Sequence, residues 1–327
     1  MNLFVIDSGT TSTRVRLYDG ERIVGSAGKQ AGAKDAAIRG DASVITDAIR
    51  ECIEELLEAH SLPMDRIDAI LASGMITSNV GLLDIPHRPA PAGIRDIASA
   101  LVPRTYPEIA DRPIYFIPGV KTGFSTDRAL AEKDMMRGEE AEIFGYLEQV
   151  KPEEQQGDIL FMHYGSHHKC ISLRDGRIEQ CRTSVTGELM MTIMQHTILK
   201  SSLLPLAELE PDPDWARKGL ETAEAAGFGR ALFSVRVADT MEGCGKRRAT
   251  SFYLGVLLSL DFALLKEMIS RQTARLVLYG KSLYPSLFGP LVRERYPELT
   301  VVVVSEEESD RLSARGAMRI FEQYQVQ

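Results

Sequence analysis

The chain has 327 residues, of which 44% are hydrophobic and 26% are charged, a composition typical of a globular protein with room for two domains. Its net charge of −8 argues against a nucleic-acid-binding surface. The four cysteines lack metal-ligand spacing and a CxxC pair, which indicates reduced thiols, and no apolar run approaches the roughly 18 residues of a membrane span. We therefore expect a cytoplasmic protein without a nucleic-acid or membrane partner.

The N-terminal segment predicts a hairpin with an unusually polar turn. The apolar run Leu3–Ile6 predicts a buried strand, the alternation after residue 14 predicts a second strand, and Asp19-Gly20 is typical of a hairpin turn. Residues 7–14 place a carboxylate, a glycine, five hydroxyls and a guanidinium between the strands. Backbone N–H groups and hydroxyls in a tight turn bind anions, and an aspartate at a strand end holds Mg²⁺ directly or through water. The segment therefore suits a nucleotide polyphosphate, although it is neither a Walker loop nor a dinucleotide GxGxxG motif.

A second copy of this pattern occurs near the middle of the chain, at Ile159–Ile178. Its glycine, hydroxyl and turn residues occupy matching places: Gly165 corresponds to Gly9, Ser166 to Thr10, and Asp175-Gly176 to Asp19-Gly20. A polar glycine loop that returns half-way along a chain predicts two similar domains that face each other. Two unrelated hairpins with solvated turns are the alternative, since turn chemistry repeats easily.

The remaining chain alternates between strand and helix patterns, which predicts an α/β fold. Hydrophobic periodicity predicts helices at 43–60, 139–147, 187–204 and 252–268, and strands at 67–72, 114–117, 276–279 and 300–304. Proline-rich segments at 82–93 and 205–214 predict loops, 121–133 predicts a mobile segment, and the polar 151–157 predicts the connection between domains. Ser305 and Glu308 form a capping box, which predicts the start of a final helix.

The first loop resembles the first phosphate motif of the actin-like ATPase, sugar-kinase and Hsp70 superfamily. Four further stretches narrow the resemblance to the 2-dehydro-3-deoxygalactonokinase family: Ser73–Gly81, Asp134–Glu140, Thr186–Leu189 and Gly280–Leu283. The resemblance implies an α/β protein of two actin-like, ribonuclease H-like domains, 1–150 and 151–327, related by internal duplication with a cleft between them. It also implies ATP and Mg²⁺ as cofactors, and phosphorylation of the terminal hydroxyl of a 2-keto-3-deoxy sugar acid, with 2-dehydro-3-deoxy-D-galactonate expected.

On this resemblance, the nucleotide is expected to contact both loops and the segment at 280–282. Asp7 is the expected Mg²⁺-associated carboxylate. The expected nucleotide-binding residues are Ser8, Gly9, Thr10, Thr11, Thr13, Arg14, Gly165, Ser166, His167, Lys169, Gly280 and Ser282. A surface ion pair is the alternative for Arg14. His168 and Cys170 replace the cysteine and tryptophan of the family's Gly-Thr-His-Cys-Lys-Trp stretch, and His163 stands where the wider superfamily carries aspartate.

The acceptor side of the site is expected to contain a carboxylate that orients the sugar hydroxyl. Glu139 and Glu140 resemble the crossover segment that carries this carboxylate, with Glu139 preferred, although acids at a helix N-terminus are also common for the helix dipole alone. Arg137 is expected to pair with the carboxylate of the sugar acid. The expected pocket residues are Met75, Ser78, Asn79, Arg88 and Glu188, with Arg95 as a further candidate for the carboxylate.

Two other functions remain open on the sequence. The segment 138–141, Gly-Glu-Glu-Ala, also resembles a polyphosphate or nucleotide hydrolase of the same superfamily. His163 and the replacement of the family's C-terminal Gly-Asp-Thr-Ala stretch by 305–309 leave room for a non-catalytic sugar-acid sensor. Phosphate release without sugar would indicate the hydrolase, and binding without ADP formation would indicate the sensor. The sequence also leaves open whether the chain forms a homodimer.

Overall fold

A computed structural model describes residues 1–20, 22–125, 127–281 and 283–326. Its strands are β1 (Asn2–Ser8), β2 (Thr13–Asp19), β3 (Arg22–Lys29), β4 (Ala69–Gly74), β5 (Arg88–Pro89), β6 (Ala92–Gly93), β7 (Val102–Tyr106), β8 (Ala110–Phe116), β9 (Val120–Thr122), β10 (Asp134–Met136), β11 (Asp158–Tyr164), β12 (His168–Arg174), β13 (Arg177–Ser184), β14 (Thr273–Gly280) and β15 (Thr300–Val303). Its α-helices are α1 (Ala33–Arg39), α2 (Ser43–Ala59), α3 (Ile94–Ala98), α4 (Glu139–Gln149), α5 (Thr186–His196), α6 (Pro213–Ala226), α7 (Phe228–Thr240), α8 (Lys246–Met268), α9 (Leu283–Arg295) and α10 (Glu306–Gln325).

The chain divides into two compact units. The first contains Met1–Gln156, Leu173–Cys181 and Glu307–Gln327, and the second contains Gly157–Ser172 and Arg182–Glu306. The main change of unit, after residue 156, falls at the end of the polar connection that the sequence indicated at 151–157. The sequence-based boundary at 150/151 assigned the last helix to the second domain, whereas α10 belongs to the first unit.

Glycines explain how α10 packs within the first unit. A Cβ atom at Gly316 of α10 would lie 1.7 Å from the carbonyl oxygen of Ala141 in α4. In the other direction, a Cβ atom at Gly145 of α4 would lie 2.0 Å from the carbonyl oxygen of Leu312 in α10. The two helices therefore approach backbone to backbone, a contact that a linear division of the chain does not reveal.

The two sheets repeat one strand order. The first sheet has the order β3-β2-β1-β4-β8-β7, with β1 antiparallel to β2 and parallel to β4. The second sheet contains the order β15-β14-β11-β12-β13, with β11 parallel to β14. Each polar glycine loop thus follows the central strand of its sheet, as the duplication predicted. The prediction of two related α/β domains is confirmed.

Equivalent glycines lie beside the two central strand ends. Gly74 ends β4 with φ of 88°, and Gly280 ends β14 with φ of 108°. A Cβ atom at Gly74 would lie 2.6 Å from the carbonyl oxygen of Ser8, and one at Gly280 would lie 2.4 Å from that of Tyr164. Positive φ and close backbone approach both favour glycine. The fold itself therefore accounts for glycine at position 280, where the sequence analysis expected room for adenosine.

The local predictions fit the long, periodic elements best. The predicted helices at 43–60, 139–147 and 252–268 and all predicted strands are confirmed to within a few residues. The helix predicted at 187–204 ends at His196 and is followed by a 3-10 turn at 198–202. The predicted loop at 82–93 carries β5 and β6, and mobility at 121–133 stays a prediction.

Helices α6, α7 and α9 were not predicted. Prolines suggested a loop up to residue 214, but Pro213 occupies the first turn of α6, where its missing N–H costs no hydrogen bond. Asp212 caps this helix by accepting a hydrogen bond from the Trp215 backbone N–H at 3.3 Å. The apparent loop signal was therefore the start of a helix.

The 23-residue helix α8 forms the centre of the second core, as its apolar sequence predicted. Within the described residues it is the one helix long and apolar enough to span a membrane by length and composition. Most of its apolar stretch is buried in the protein, where it packs against β11, β14 and α9 residues of the same core. Burial of this kind is typical of a core helix.

Candidate active site

The first loop joins β1 to β2, and its hydroxyl groups fall into two sets. Ser8 and Thr13 are fully buried, their hydroxyl oxygens lie 2.9 Å apart, and Thr13 donates to the carbonyl oxygen of Ala31 at 2.8 Å. Thr10 is half-buried and Thr11 is exposed. The inner pair therefore stabilises the loop, and contact with a phosphate falls to Thr10 and Thr11 rather than to all the hydroxyls named from the sequence.

The loop backbone leaves an open face. The Gly9 N–H donates to the carbonyl oxygen of Ser12 at 2.9 Å, which closes the turn, and α1 fixes it from behind through the N–H groups of Ala33 and Lys34. A Cβ atom at Gly9 would meet no atom nearer than 3.8 Å. Among the described residues, the N–H groups of the two residues after Gly9 donate to no backbone carbonyl. Glycine here preserves space and free donors, which fits an approaching phosphate oxygen.

Asp7 ends β1 directly before this loop and lies among charged groups. It is half-buried and sits opposite Arg14 in the antiparallel register. Burial raises the pKa of Asp7, while the positive charges of Arg16 and then Arg14 lower it. The negative charges of Asp310 and Glu139 raise the pKa further. A carboxylate held among these charges is suited to bind a cation that arrives with a polyphosphate.

Two of these neighbours were not predicted as site residues. Arg16 is 4% exposed, and Asp310 of α10 accepts a salt bridge from Arg14 at 3.1 Å. Arg14 thus forms the ion pair that the sequence left as its alternative. Arg16 could have been found from strand alternation, because residues 14 and 16 share the face of the hairpin that carries Asp7. No local signal connects Asp310 with this loop, because α10 is nearly 300 residues away along the chain.

The start of α4 packs beside Asp7. A Cβ atom at Gly138 would lie 3.4 Å from the Cα atom of Gly74, and one at Gly74 would lie 3.5 Å from the Oδ1 atom of Asp7. Gly138 has φ of 108°, a conformation that glycine adopts without strain. The close approach of these glycines brings the acidic first turn of α4 to the end of β1.

The two adjacent glutamates of α4 differ in role. Both Glu140 carboxylate oxygens accept from the Gly138 N–H, at 2.9 and 3.0 Å, and the side chain is fully buried. Burial, reinforced by the charge of Glu139, raises the pKa of Glu140 to about 8. Glu139 is 8% exposed and contributes to the electrostatic environment of Asp7. Glu140 thus caps its own helix, which leaves Glu139 as the glutamate for the acceptor, the one preferred from the sequence.

Replacing Glu140 should change how stability depends on pH. Its pKa of about 8 lies above the unfolded value of 4.5, so the folded protein binds the extra proton between these pH values. The stability that this protonation contributes is complete below about pH 4.5 and declines as pH rises toward 8, by up to about 1.4 kcal/mol per pH unit. We expect Glu140→Gln, which is neutral at every pH, to remove this part of the decline. Urea unfolding of both proteins from pH 5 to 8.5 measures it, and parallel curves would contradict the assignment.

Arg137 is engaged within the protein. Its guanidinium donates to Thr77 Oγ1 and to the carbonyl oxygen of Ile85, both at 2.8 Å, and its Nη2 lies 3.4 Å from His87 Nδ1. Its side chain is 8% exposed, with Asp84 at 3.7 Å. Burial, together with the charge of Arg137, lowers the pKa of His87 to about 4. Arg137 thus holds the 77–87 segment against the start of α4, which favours a positioning role over the predicted pairing with substrate.

The predicted sugar pocket begins where β4 ends. Met75 is half-buried, Asn79 is exposed, and Ser78 is buried with its hydroxyl donating to the Met75 carbonyl oxygen at 2.7 Å. Arg88 in β5 is half-buried, and its Nε atom is buried without a hydrogen-bond partner in the described part of the chain. Arg95 is exposed at the start of α3. Asn79 and Arg88 are therefore the better candidates for direct contact with an acid.

The second loop repeats the backbone of the first. A Cβ atom at Gly187 would lie 2.3 Å from the carbonyl oxygen of Gly165, as one at Gly32 would lie 2.7 Å from that of Gly9. The Glu188 N–H donates to the carbonyl oxygen of Ser166 at 3.0 Å. In both units a helix start therefore supports the polar loop from the same side.

Glu188 lies beside this second loop. Its Oε1 atom is 3.5 Å from His167 Nε2, and both side chains are partly exposed. The sequence analysis grouped Glu188 with the sugar pocket, whereas the structure groups it with the second loop. Lys169 is 7% exposed within β12, and Ser282 lies outside the described residues.

Comparison with known proteins identifies the family. The model described as 2-keto-3-deoxy-galactonokinase matches residues 7–317. The chain belongs to this family. The 2-dehydro-3-deoxygalactonokinase of Escherichia coli (strain K12) is 25% identical over 279 residues, which cover 85% of each chain. A relative from Rhizobium meliloti (strain 1021), named for the same activity, is 28% identical over 266 residues, with 79% of this chain and 78% of the relative covered.

Solved structures agree with the assignment to the 2-keto-3-deoxy-galactonokinase family. A structure described as a 2-dehydro-3-deoxygalactonokinase from Sinorhizobium meliloti matches at 26% identity with a TM-score of 0.72, covering 97% of this chain and 98% of that one. The activator of 2-hydroxyisocaproyl-CoA dehydratase from Clostridium difficile, solved with ADPNP, matches at 14% identity with a TM-score of 0.54 over 100% and 96%, and it supports the fold alone. The protein is therefore an ATP-dependent carbohydrate kinase for a 2-keto-3-deoxy sugar acid, as predicted, rather than the hydrolase or the sensor.

Proposed function

We propose that this kinase transfers the γ-phosphoryl group of ATP to the terminal hydroxyl of 2-dehydro-3-deoxy-D-galactonate. One observation carries the proposal: Asp7, the open face of the 9–11 loop and Glu139 lie together in the first unit, on the two sides of the contact between Gly74 and Gly138. Phosphoryl transfer depends on alignment and charge neutralisation more than on covalent chemistry. This cluster offers both.

The donor set around Asp7 fits Mg²⁺ that is carried by the nucleotide. No group of three or more histidine, cysteine, aspartate or glutamate residues in the described ranges is arranged to hold a metal by itself. Mg²⁺ commonly keeps its waters and binds through one or two carboxylates plus substrate phosphates. Asp7 would supply that carboxylate. When bound, the ion would neutralise charge on the phosphate oxygens.

The chain's own groups then divide the work of the reaction. The N–H groups and hydroxyls of Thr10 and Thr11 bind phosphate oxygens, and Arg14 adds positive charge at the edge of the loop. Glu139 accepts a hydrogen bond from the sugar hydroxyl and takes its proton as the oxygen attacks phosphorus. The new bond joins that oxygen to the γ-phosphorus, the bond to the β,γ-bridging oxygen breaks, and ADP leaves with the electron pair.

The sugar acid is proposed to lie along the segment after β4. Asn79 can both donate to and accept from hydroxyl groups, and the Arg88 guanidinium can bind the carboxylate. The buried Nε atom of Arg88 without a partner supports this role, because a buried N–H donor is stabilised by an acceptor. By homology of the two loops, Ser166 and His167 are proposed to bind nucleotide, and the protein is proposed to act in the cytoplasm.

ADP formation over a panel of sugar acids tests the function. We expect turnover with 2-dehydro-3-deoxy-D-galactonate, and a product whose phosphorus couples to the terminal methylene in NMR. We expect Arg88→Met to raise the KM for the sugar acid at least tenfold, since a charge-assisted hydrogen bond contributes roughly 1.5–3 kcal/mol. The exposed Arg95→Met serves as the matched control. Equal turnover of aldonic acids without the 2-keto group, or an unchanged KM in Arg88→Met, would contradict the substrate assignment.

A further inference from the structure

The second unit contains a buried histidine–aspartate pair that the proposed reaction does not use. His168 Nδ1 lies 2.9 Å from Asp261 Oδ1, and neither side chain is exposed to solvent. Asp261 is on α8, among fully buried apolar residues. Burial raises the pKa of Asp261, and His168 lowers it again. A polar pair in such a core is costly unless its members stabilise each other, so its location asks for a reason.

The position of His168 in the chain connects this pair with the second loop. His168 is the first residue of β12 and follows directly after the 165–167 loop. Its ring packs edge-on against Tyr164, the last residue of β11, with centroids 4.9 Å apart, and against Tyr284 in the first turn of α9, at 4.7 Å. The two tyrosine rings stack on each other at 5.4 Å. The loop thus enters and leaves through residues of one aromatic cluster.

The hydrogen bond between His168 and Asp261 is the polar contact that connects this cluster to α8. The remaining polar atoms of the pair, His168 Nε2 and Asp261 Oδ2, are buried and have no hydrogen-bond partner within the described residues. The hydroxyl of Tyr164 is buried in the same way. Because no second acceptor is present, loss of Asp261 would leave His168 without its hydrogen bond and its ring free to reorient.

We propose that His168 and Asp261 are positioning residues that fix the second loop to α8 and thereby set the geometry of Ser166 and His167 toward the nucleotide. The inference rests on the proposed nucleotide role of that loop. His168 occupies a position where the family pattern has cysteine, so this anchor is a property of this chain rather than one carried over from the resemblance.

The test compares four variants of the full-length kinase. Asp261→Leu and His168→Leu each remove one partner, and the double variant His168→Leu/Asp261→Leu removes both polar groups and leaves an apolar core. Asp261→Asn keeps an oxygen that accepts from His168 Nδ1. Glu267→Leu is the control, because Glu267 also connects α8 to the hairpin through Arg182 but does so far from the loop.

We expect the KM for ATP to rise at least tenfold in both single leucine variants, with less than a threefold change in the KM for the sugar acid. The double variant should recover thermal stability, since no polar atom of the pair is orphaned, yet its KM for ATP should stay high. Asp261→Asn should restore the KM for ATP to within about threefold of the parent, and Glu267→Leu should not change it. A double variant that recovers both stability and KM would overturn the proposal.

Hydrogen exchange in the absence of nucleotide separates this inference from the function on which it rests. We expect amides of residues 165–168 to exchange faster in the leucine variants and at the parental rate in Asp261→Asn. Faster loop exchange with an unchanged KM for ATP would support the anchor and refute the nucleotide role of the loop. Unchanged exchange, or an equal rise in KM for both substrates, would refute the anchor itself.

Discussion

Asp7→Asn is expected to lower kcat by about 10³-fold or more while the protein stays folded. A carboxylate that helps hold Mg²⁺ against the phosphates acts on several kcal/mol of transition-state charge stabilisation, and each 1.4 kcal/mol corresponds to a tenfold change in rate. Asparagine keeps the size of the side chain and one oxygen but removes the negative charge. Because burial already disfavours that charge, the substitution is not expected to disturb the fold strongly.

The matched control for Asp7→Asn is Asp19→Asn, which makes the same chemical change at the other end of the same hairpin. Asp19 is 70% exposed and lies near the chain's amino group. We measure kcat, the apparent Mg²⁺ dependence and the melting temperature of both variants. Asp7→Asn should need more Mg²⁺ and turn over far more slowly, whereas Asp19→Asn should resemble the parent. A folded Asp7→Asn protein with turnover within a few-fold of the parent would remove Asp7 from the mechanism.

The sequence predicted the loops well because their chemistry is local. A strand of four apolar residues, an aspartate, a glycine and a row of hydroxyls occupy consecutive positions, so no tertiary information is needed to place them. The repeat at 159–178 likewise made the duplicated fold predictable. The division of labour among the hydroxyls was not predictable, because it depends on the contact of Thr13 with Ala31, across strand β3.

Contacts between distant segments explain the other differences. Arg137 was expected to bind the substrate because it stands next to two glutamates, but the structure surrounds it with acceptors from the 77–87 segment. Asp310 reaches the first loop only because α10 packs on α4 through glycines of both helices. Neither arrangement has a periodic or spacing signal, since each depends on how separate elements pack.

Of the two glutamates at the start of α4, only Glu139 has a carboxylate that the helix does not itself use. Consecutive residues on a helix point about 100° apart, so the two side chains cannot share one direction. Glu140 turns back to the Gly138 N–H, and its pKa of about 8 means that it is largely protonated at neutral pH. A buried, mostly neutral acid of this kind stabilises the helix start but is poorly suited to accept a proton. Glu139, close enough to influence the charge of Asp7, is the group placed for the sugar hydroxyl.

Glu139→Gln is therefore expected to lower kcat by roughly 10²–10⁴-fold, the usual contribution of a general base. The KM for ATP should change little, because the interaction develops in the transition state. Glu140→Gln is the matched control, since it makes the same substitution one residue away, and glutamine resembles the protonated glutamate that the folded protein already contains. We expect its kcat to stay within about threefold of the parent at pH 7. Steady-state kinetics of both variants, with melting temperatures to confirm folding, decide between the two residues. If Glu140→Gln is the slower enzyme, or if both retain turnover within a few-fold of the parent, then Glu139 only favours the helix dipole and the base lies on another element.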